Sequence, residues 1–180
     1  MYHISDDPRA HASAQRICDA LMECARRKPF SEISVTDLYK EHRISRTTFY
    51  RLFDNTVDVL EYMVDQMGRN ILLTLHGDSP KALTIQAISA LRERRELLEL
   101  LSESGHIDLL RKKQEEYLPM SMLANGLELG DSYDYFHAIL AQLLPTAMDI
   151  WVRDGMMDSP EAVYEKLRKS ILTLGTWFSD

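Results

Sequence analysis

The chain has 180 residues, room for one ordinary domain or for a module of about 50 residues joined to a larger one. With 7 Gly and 6 Pro beside abundant Leu, Ala, Glu, Arg and Met, it is too poor in turn formers for an all-β sandwich. A net charge of −7 argues against a uniformly basic surface, so any nucleic-acid reading depends on how the charge is distributed.

The opening MYHISDDPRAHAS lacks the basic and apolar regions of a secretory signal, and no window reaches the roughly 18 apolar residues of a membrane span. A cytoplasmic protein without membrane contact is expected. Ser5, Asp6 or Asp7 can cap a first helix with Pro8 in its first turn, running to about Lys28, where Pro29 stops it. Ala14, Ile17, Cys18, Leu21, Met22 and Ala25 give that helix one core-facing stripe. Cys18 and Cys24 fit no metal or redox spacing and read as buried thiols.

Phe30 and Ile33 form a short apolar link, after which Ser34 can cap a helix from Val35 to Glu41 or His42. His42-Arg43-Ile44 makes a turn, and Ser45 caps a second short helix through about Phe53. Two short helices around a tight turn, each opened by a serine able to accept from a free N–H, are the pattern of a helix-turn-helix. Asp54-Asn55-Thr56 breaks and recaps the chain, and Val57, Leu60, Met63, Val64 and Met67 carry an amphipathic helix toward Leu75. His76-Gly77-Asp78-Ser79-Pro80 ends it.

Helices over about 80–92, 94–103 and 106–124 follow, and Asn125-Gly126 with Gly130-Asp131-Ser132 bracket a turn. The strongly apolar stretch 132–154 contains Pro145, which predicts a long helix kinked there. Gly155 stops it, and Ser159-Pro160-Glu161 opens a last helix running to about Phe178. No internal repeat or flexible linker interrupts this series.

Charge divides along the same line. Residues 9–51 hold nine Lys or Arg against five acids, whereas 52–180 hold 12 against 21. A basic head on an acidic body is what a DNA-binding module joined to a non-binding one would show, because phosphate affinity needs only a local positive surface. The expected fold class is all-α: an N-terminal three-helix helix-turn-helix DNA-binding domain over 1–54, then a helical-bundle regulatory and dimerisation domain over 55–180.

Residues 33–64, ISVTDLYKEHRISRTTFYRLFDNTVDVLEYMV, resemble the TetR family of bacterial transcriptional regulators, the TetR/AcrR type. The resemblance is carried by Val35-Thr36, Ile44-Ser45, Thr48-Phe49-Tyr50, Phe53 and Asp58-Val59-Leu60. It implies a cytoplasmic homodimer that grips double-stranded operator DNA, with repression released by a small-molecule effector. In such a motif Arg46 and Thr47 would face base edges, with Arg46 able to bind guanine in two places. Ser34, Thr36, Thr48, Tyr50 and Arg51 would serve phosphates, with Ser45 at the helix entry and the amides near Asn55-Thr56 as a further anion site. Phe49 and Phe53 are read as core. Arg26, Arg27 and Lys28 read equally as a solvated helix end or a phosphate clamp.

In the larger domain, Tyr117, Met120, Tyr133, Phe136, His137 and Trp151, with Met122, could line an effector pocket, ordinary core being the alternative reading. LLPTAMDIWVRDGMMDSPEAVYEKL resembles, more weakly, the regulatory domains of one TetR branch, which implies that the last two long helices form the dimer interface. Leu143, Leu144, Ile150, Trp151, Ile171, Leu174 and Trp177 supply more apolar surface there than one buried face requires. No cofactor, metal or catalysis is expected: the six His lack ligand spacing, no Gly-rich phosphate loop occurs, and Ser102 and Ser104 beside His106 lack a nucleophile elbow. The alternative function is a protein-binding adaptor on the same fold with little operator affinity, motivated by the acidic total, Thr47 and the lysine-poor start of the fourth helix.

Overall fold

Local capping chemistry decides where most helices begin. In the computed structural model, which describes residues 2–42, 44–117 and 130–179, nine α-helices and no strand occur among the described residues. Helix α1 (Pro8–Ala25) is capped by Asp7, whose carboxylate accepts from the Arg9 amide at 2.8 Å. It ends three residues before the expected Lys28, in a tightened turn where the Arg27 amide donates to the Cys24 carbonyl at 3.0 Å. A 3₁₀ turn over Phe30–Glu32 leads to α2 (Val35–His42), α3 (Arg46–Leu52) and α4 (Thr56–Thr74).

Then come α5 (Pro80–Arg92), α6 (Arg95–Glu103), α7 (Asp108–Tyr117), α8 (Tyr133–Arg153) and α9 (Pro160–Gly175). Ser79 and Ser159 cap α5 and α9, each accepting from an amide three residues on at 3.2 Å. The last expected helix closes earlier than Phe178, with Thr176–Phe178 in a 3₁₀ turn. Of the helix expected over 106–124, the part beyond Tyr117 lies outside the described residues, as does the Asn125-Gly126 turn.

Contacts divide the chain into two compact units, Met1–Met67 and Gly68–Asp180, and the division falls within α4. In the first, α1 packs on α2 and α3 around fully buried Ile17, Leu21, Leu38, Phe49, Leu52, Phe53 and Leu60. Each such side chain contributes about 1.5–3 kcal/mol of burial. Cys18 and Cys24 are buried and in no disulfide, and burial pushes the Cys18 thiol far above its ordinary range, which keeps it inert. The N-terminal arm returns to this core: the His3 amide donates to the Leu52 carbonyl at 2.8 Å, and Tyr2 meets Tyr62 edge-on.

In the second unit, α5 packs on α9, α6 and α7 pack on α8, and α8 packs on α9. Ile88, Leu98, Leu101 and Met148 are its fully buried members. Helix α8 continues from Tyr133 to Arg153 through the buried Pro145. It ends in a turn where Gly155 (φ 73°) donates to the Val152 carbonyl and Met156 (φ 54°) to the Trp151 carbonyl, both at 2.8 Å. Glycine meets the left-handed conformation without strain. Met156 accepts it as the buried apolar residue that such a turn places against the helix end.

Candidate nucleic-acid interface

Helix α3 is seven residues long and depends on its cap. The Ser45 hydroxyl accepts from the Thr48 amide at 3.0 Å and lies 2.8 Å from the Thr48 hydroxyl. Below this cap the helix has two faces. Phe49 and Leu52 are buried with Leu38 and Phe53, while Arg46, Thr47, Tyr50 and Arg51 are exposed. The buried face fixes which way the exposed one points, so two arginines, a threonine and a tyrosine form one outward surface. Arg46 lies over the Tyr50 ring, 5.5 Å from its centroid, and Tyr50 rests edge-on against Phe49 at 5.5 Å.

Other candidates have internal work. The Ser34 hydroxyl donates to the Asp37 carboxylate at 2.6 Å, and the Ser34 amide does so at 2.8 Å. Lys28 donates to the same oxygen at 2.8 Å, which fixes α2 against the end of α1. Hydrogen bonds from Lys28, then from the Ser34 hydroxyl and amide, hold the Asp37 carboxyl well below its ordinary value. Lys28 is therefore part of the fold's own ion pairing. Thr36 at the start of α2 and Lys40 near its end are exposed, and the sequence reading did not single out Lys40. Arg43 lies outside the described residues.

At the start of α4, the Asn55 carboxamide accepts from the Asp58 amide at 3.0 Å and the Asp58 carboxylate accepts from the Asp54 amide at 2.9 Å. Asp58 is 5 % exposed. A buried carboxylate at this helix start disfavours the phosphate expected near Asn55-Thr56, because it already supplies the negative charge the helix terminus attracts.

Of the described candidates for an effector pocket, three lie near the start of α8 and Trp151 near its end. Tyr133 and His137 stack, with centroids 6.0 Å apart and planes at 21°, and Phe136 beside them is half-buried. Trp151 follows His137 by 14 residues on the same helix, about 21 Å along its axis, so one small ligand does not reach both. Tyr117 lies against Gly68, and Met120 and Met122 fall outside the described residues. Both His137 Nε2 and Trp151 Nε1 are buried without a hydrogen-bond partner. A groove of about 300 Å³ between α8 and α9 is lined by Leu143, Ala147, Ile150, Trp151, Val163 and Leu167 among others. The Ser104 hydroxyl lies 3.1 Å from His106 Nδ1, while Ser102 donates to Asp149 at 2.7 Å.

Of the dimer candidates, Ile150, Ile171, Leu174 and Trp177 are 50, 43, 47 and 73 % exposed, respectively. Leu143 and Leu144 are half-buried, and Trp151 is 2 % exposed within its own chain. The sequence reading did not name Tyr135 and Ile139 on α8, Leu172 on α9 and Phe178 in the 3₁₀ turn after it, which are also exposed. Tyr135 and Ile139 stand one turn apart, the same spacing that brings helix residues onto one face.

A serine-capped pair of short helices presenting a basic, polar face on a bundled core defines a helix-turn-helix unit. The chain shares its fold with solved structures, a TetR-family regulator among them. A protein of Syntrophomonas wolfei assigned to the TetR family of transcriptional regulators superposes with a TM-score of 0.64 at 15 % identity, covering 92 % of this chain and 96 % of its own. The Lin0861 protein of Listeria innocua superposes at 0.82, again with 15 % identity, over 96 % of both chains. The dihydroxyacetone kinase operon activator DhaS superposes at 0.61 and 15 % identity, over 90 % of this chain and 95 % of its own. No family profile and no curated protein sequence matches the chain significantly. Among the described residues, no helix is long and apolar enough to cross a membrane.

Proposed function

We propose that this protein is a sequence-specific DNA-binding transcriptional regulator that acts as a homodimer and represses until an effector releases it. The observation that carries the reading is the outward face of α3, where Arg46, Thr47, Tyr50 and Arg51 are exposed on a helix locked by buried Phe49 and Leu52. Arg46 is the base-reading residue and Tyr50 and Arg51 hold phosphates, with Thr36 and Lys40 flanking them from α2. The two copies join through the exposed apolar faces of α8 and α9, and operator binding requires their recognition helices to stand about one DNA turn, roughly 34–36 Å, apart.

The effector acts through the helical unit, where the unpartnered His137 Nε2 beside the Tyr133 ring offers a polar contact in an aromatic setting. Release requires the effector to bind one dimer arrangement more tightly than the other, since equal affinity shifts nothing. The adaptor reading has its own support in the self-capped start of α4 and its buried Asp58, which weaken phosphate binding at that point.

Selection of bound fragments from random DNA, followed by salt titration of the best one with wild type and Arg46→Ala, tests the proposal. A palindromic site, a steep fall of log K with log salt and relaxed base preference in the variant are expected. No enriched sequence at low salt would overturn it in favour of the adaptor. A reporter carrying the selected site would distinguish repression from activation.

A further inference from the structure

Tyr39 stands in α2 with its ring edge-on to Phe49, centroids 5.9 Å apart and planes at 79°. Tyr50 in α3 meets the same Phe49 edge-on at 5.5 Å and 83°. The two phenols thus share one buried platform, but their hydroxyls differ in circumstance. Tyr50 is 46 % exposed, whereas the Tyr39 hydroxyl oxygen is buried and has no hydrogen-bond partner. Native interiors keep few such groups, and an unpartnered hydroxyl is a cost that any later partner removes. Burial first, and then the neighbouring Tyr50 hydroxyl, hold the Tyr39 phenol above its ordinary value, while Arg46 acts in the opposite sense. With both rings packed against Phe49, the Tyr50 hydroxyl is the polar group to which Tyr39 can turn.

We propose that Tyr39 is a positioning residue for Tyr50: its buried hydroxyl donates to the Tyr50 oxygen while Tyr50 donates its own proton to a DNA backbone phosphate. The inference rests on reading α3 as the DNA-contacting helix. The direction of the relay follows from the groups themselves. A phosphodiester has no proton to give at neutral pH, so Tyr50 must be the donor to it, and its oxygen lone pairs are then free to accept. Tyr39 has a proton and no acceptor. Each bond polarises the next, so the phosphate contact is stronger with Tyr39 behind it than without. Tyr39 itself does not touch DNA, because its oxygen is buried.

The test is a double-mutant cycle on the selected DNA site by fluorescence anisotropy at fixed salt, with wild type, Tyr39→Phe, Tyr50→Phe and the double variant, alongside thermal unfolding of each. Tyr39→Phe is expected to weaken binding about three- to tenfold without lowering Tm, since the free protein loses no hydrogen bond. In the Tyr50→Phe background the same change is expected to cost nothing further. Wild-type binding with an unchanged Tyr39→Phe affinity overturns the relay alone, as does an equal loss in both backgrounds or a fall in Tm. Wild type that binds no DNA overturns the underlying reading, and shows it before any variant is made.

Discussion

Replacing Ser45 by Ala removes two bonds at the entry to α3: the acceptor for the Thr48 amide at 3.0 Å and the partner of the Thr48 hydroxyl at 2.8 Å. Ser45 is exposed, so no cavity opens and water takes up the released groups. The cost is then that of a lost N-cap, about 1 kcal/mol, which lowers the folded-to-unfolded ratio roughly fivefold. If the first unit unfolds by itself, Tm falls by about 4–8 °C. A seven-residue helix has no reserve of length, since isolated helices below about 12–15 residues are marginal in water. Urea denaturation followed by circular dichroism measures the loss. Ser45→Asp provides the decisive companion: it caps as well as serine and its charge suits the helix terminus, so stability returns to within a few tenths of a kcal/mol. On the proposed interface the same carboxylate faces phosphates, so DNA affinity falls while the fold is intact. Ser45→Ala as stable as wild type, or Ser45→Asp no better than Ser45→Ala, would refute the argument.

Asp37→Asn tests the tie between α1 and α2. Because the folded carboxyl is held below its ordinary value, Asp37 stabilises fully above its unfolded pKa of about 4 and progressively less as pH falls below that. The stability gap between wild type and variant should therefore be present at pH 7 and close in acid, as read from denaturation at several pH values. The double change of Ile171 and Leu174 to Glu places charge on side chains already 43 and 47 % exposed, so the chain should stay folded while light scattering shows a mass falling from twice 20.8 kDa to one chain. Wild type already at one chain mass would remove the proposed interface. Gly105 and Gly175 form a matched pair in which an added Cβ meets nothing within 4 Å, but Gly105 alone has a positive φ, 73°. Gly105→Ala should destabilise by about 1 kcal/mol, and Gly175→Ala should not, because helix propensity favours alanine there. Chemical denaturation of both variants checks the contrast.

What was legible in the sequence was the chemistry that acts over three or four residues. Ser45, Ser79 and Ser159 each accept from the amide three positions on, and the last two are followed by a proline that suits the first turn. The inward face of α3 was legible in part: Phe49 and Phe53 were read as core and are buried, whereas Leu52, buried beside them, was not named. Partners across the fold were not. Ser34, read as a phosphate ligand, has its hydroxyl bound to Asp37, although the Ser-x-x-Asp spacing carried that signal. Lys28 reaches Asp37 because α1 ends at Ala25, short of the Lys28 end expected from Pro29, and the following residues turn. The Tyr39 hydroxyl gave no sign of lacking a partner, since a pattern of apolar positions assigns a ring to a face and says nothing of the atom at its tip. Likewise, no local rule joins His3 to Leu52.

Pro145 gives α8 a mechanical character that its unbroken outline conceals. A proline brings no N–H to its own turn, so the ladder of backbone bonds lacks a rung in the middle of this 21-residue helix. Toward the N-terminus of that gap lie the stacked Tyr133 and His137, and toward the C-terminus lie Ile150 and the glycine turn at Gly155. A rod with one rung missing bends there more readily than anywhere else along it. A change of angle between the two halves of α8 therefore meets least resistance from backbone bonding at Pro145.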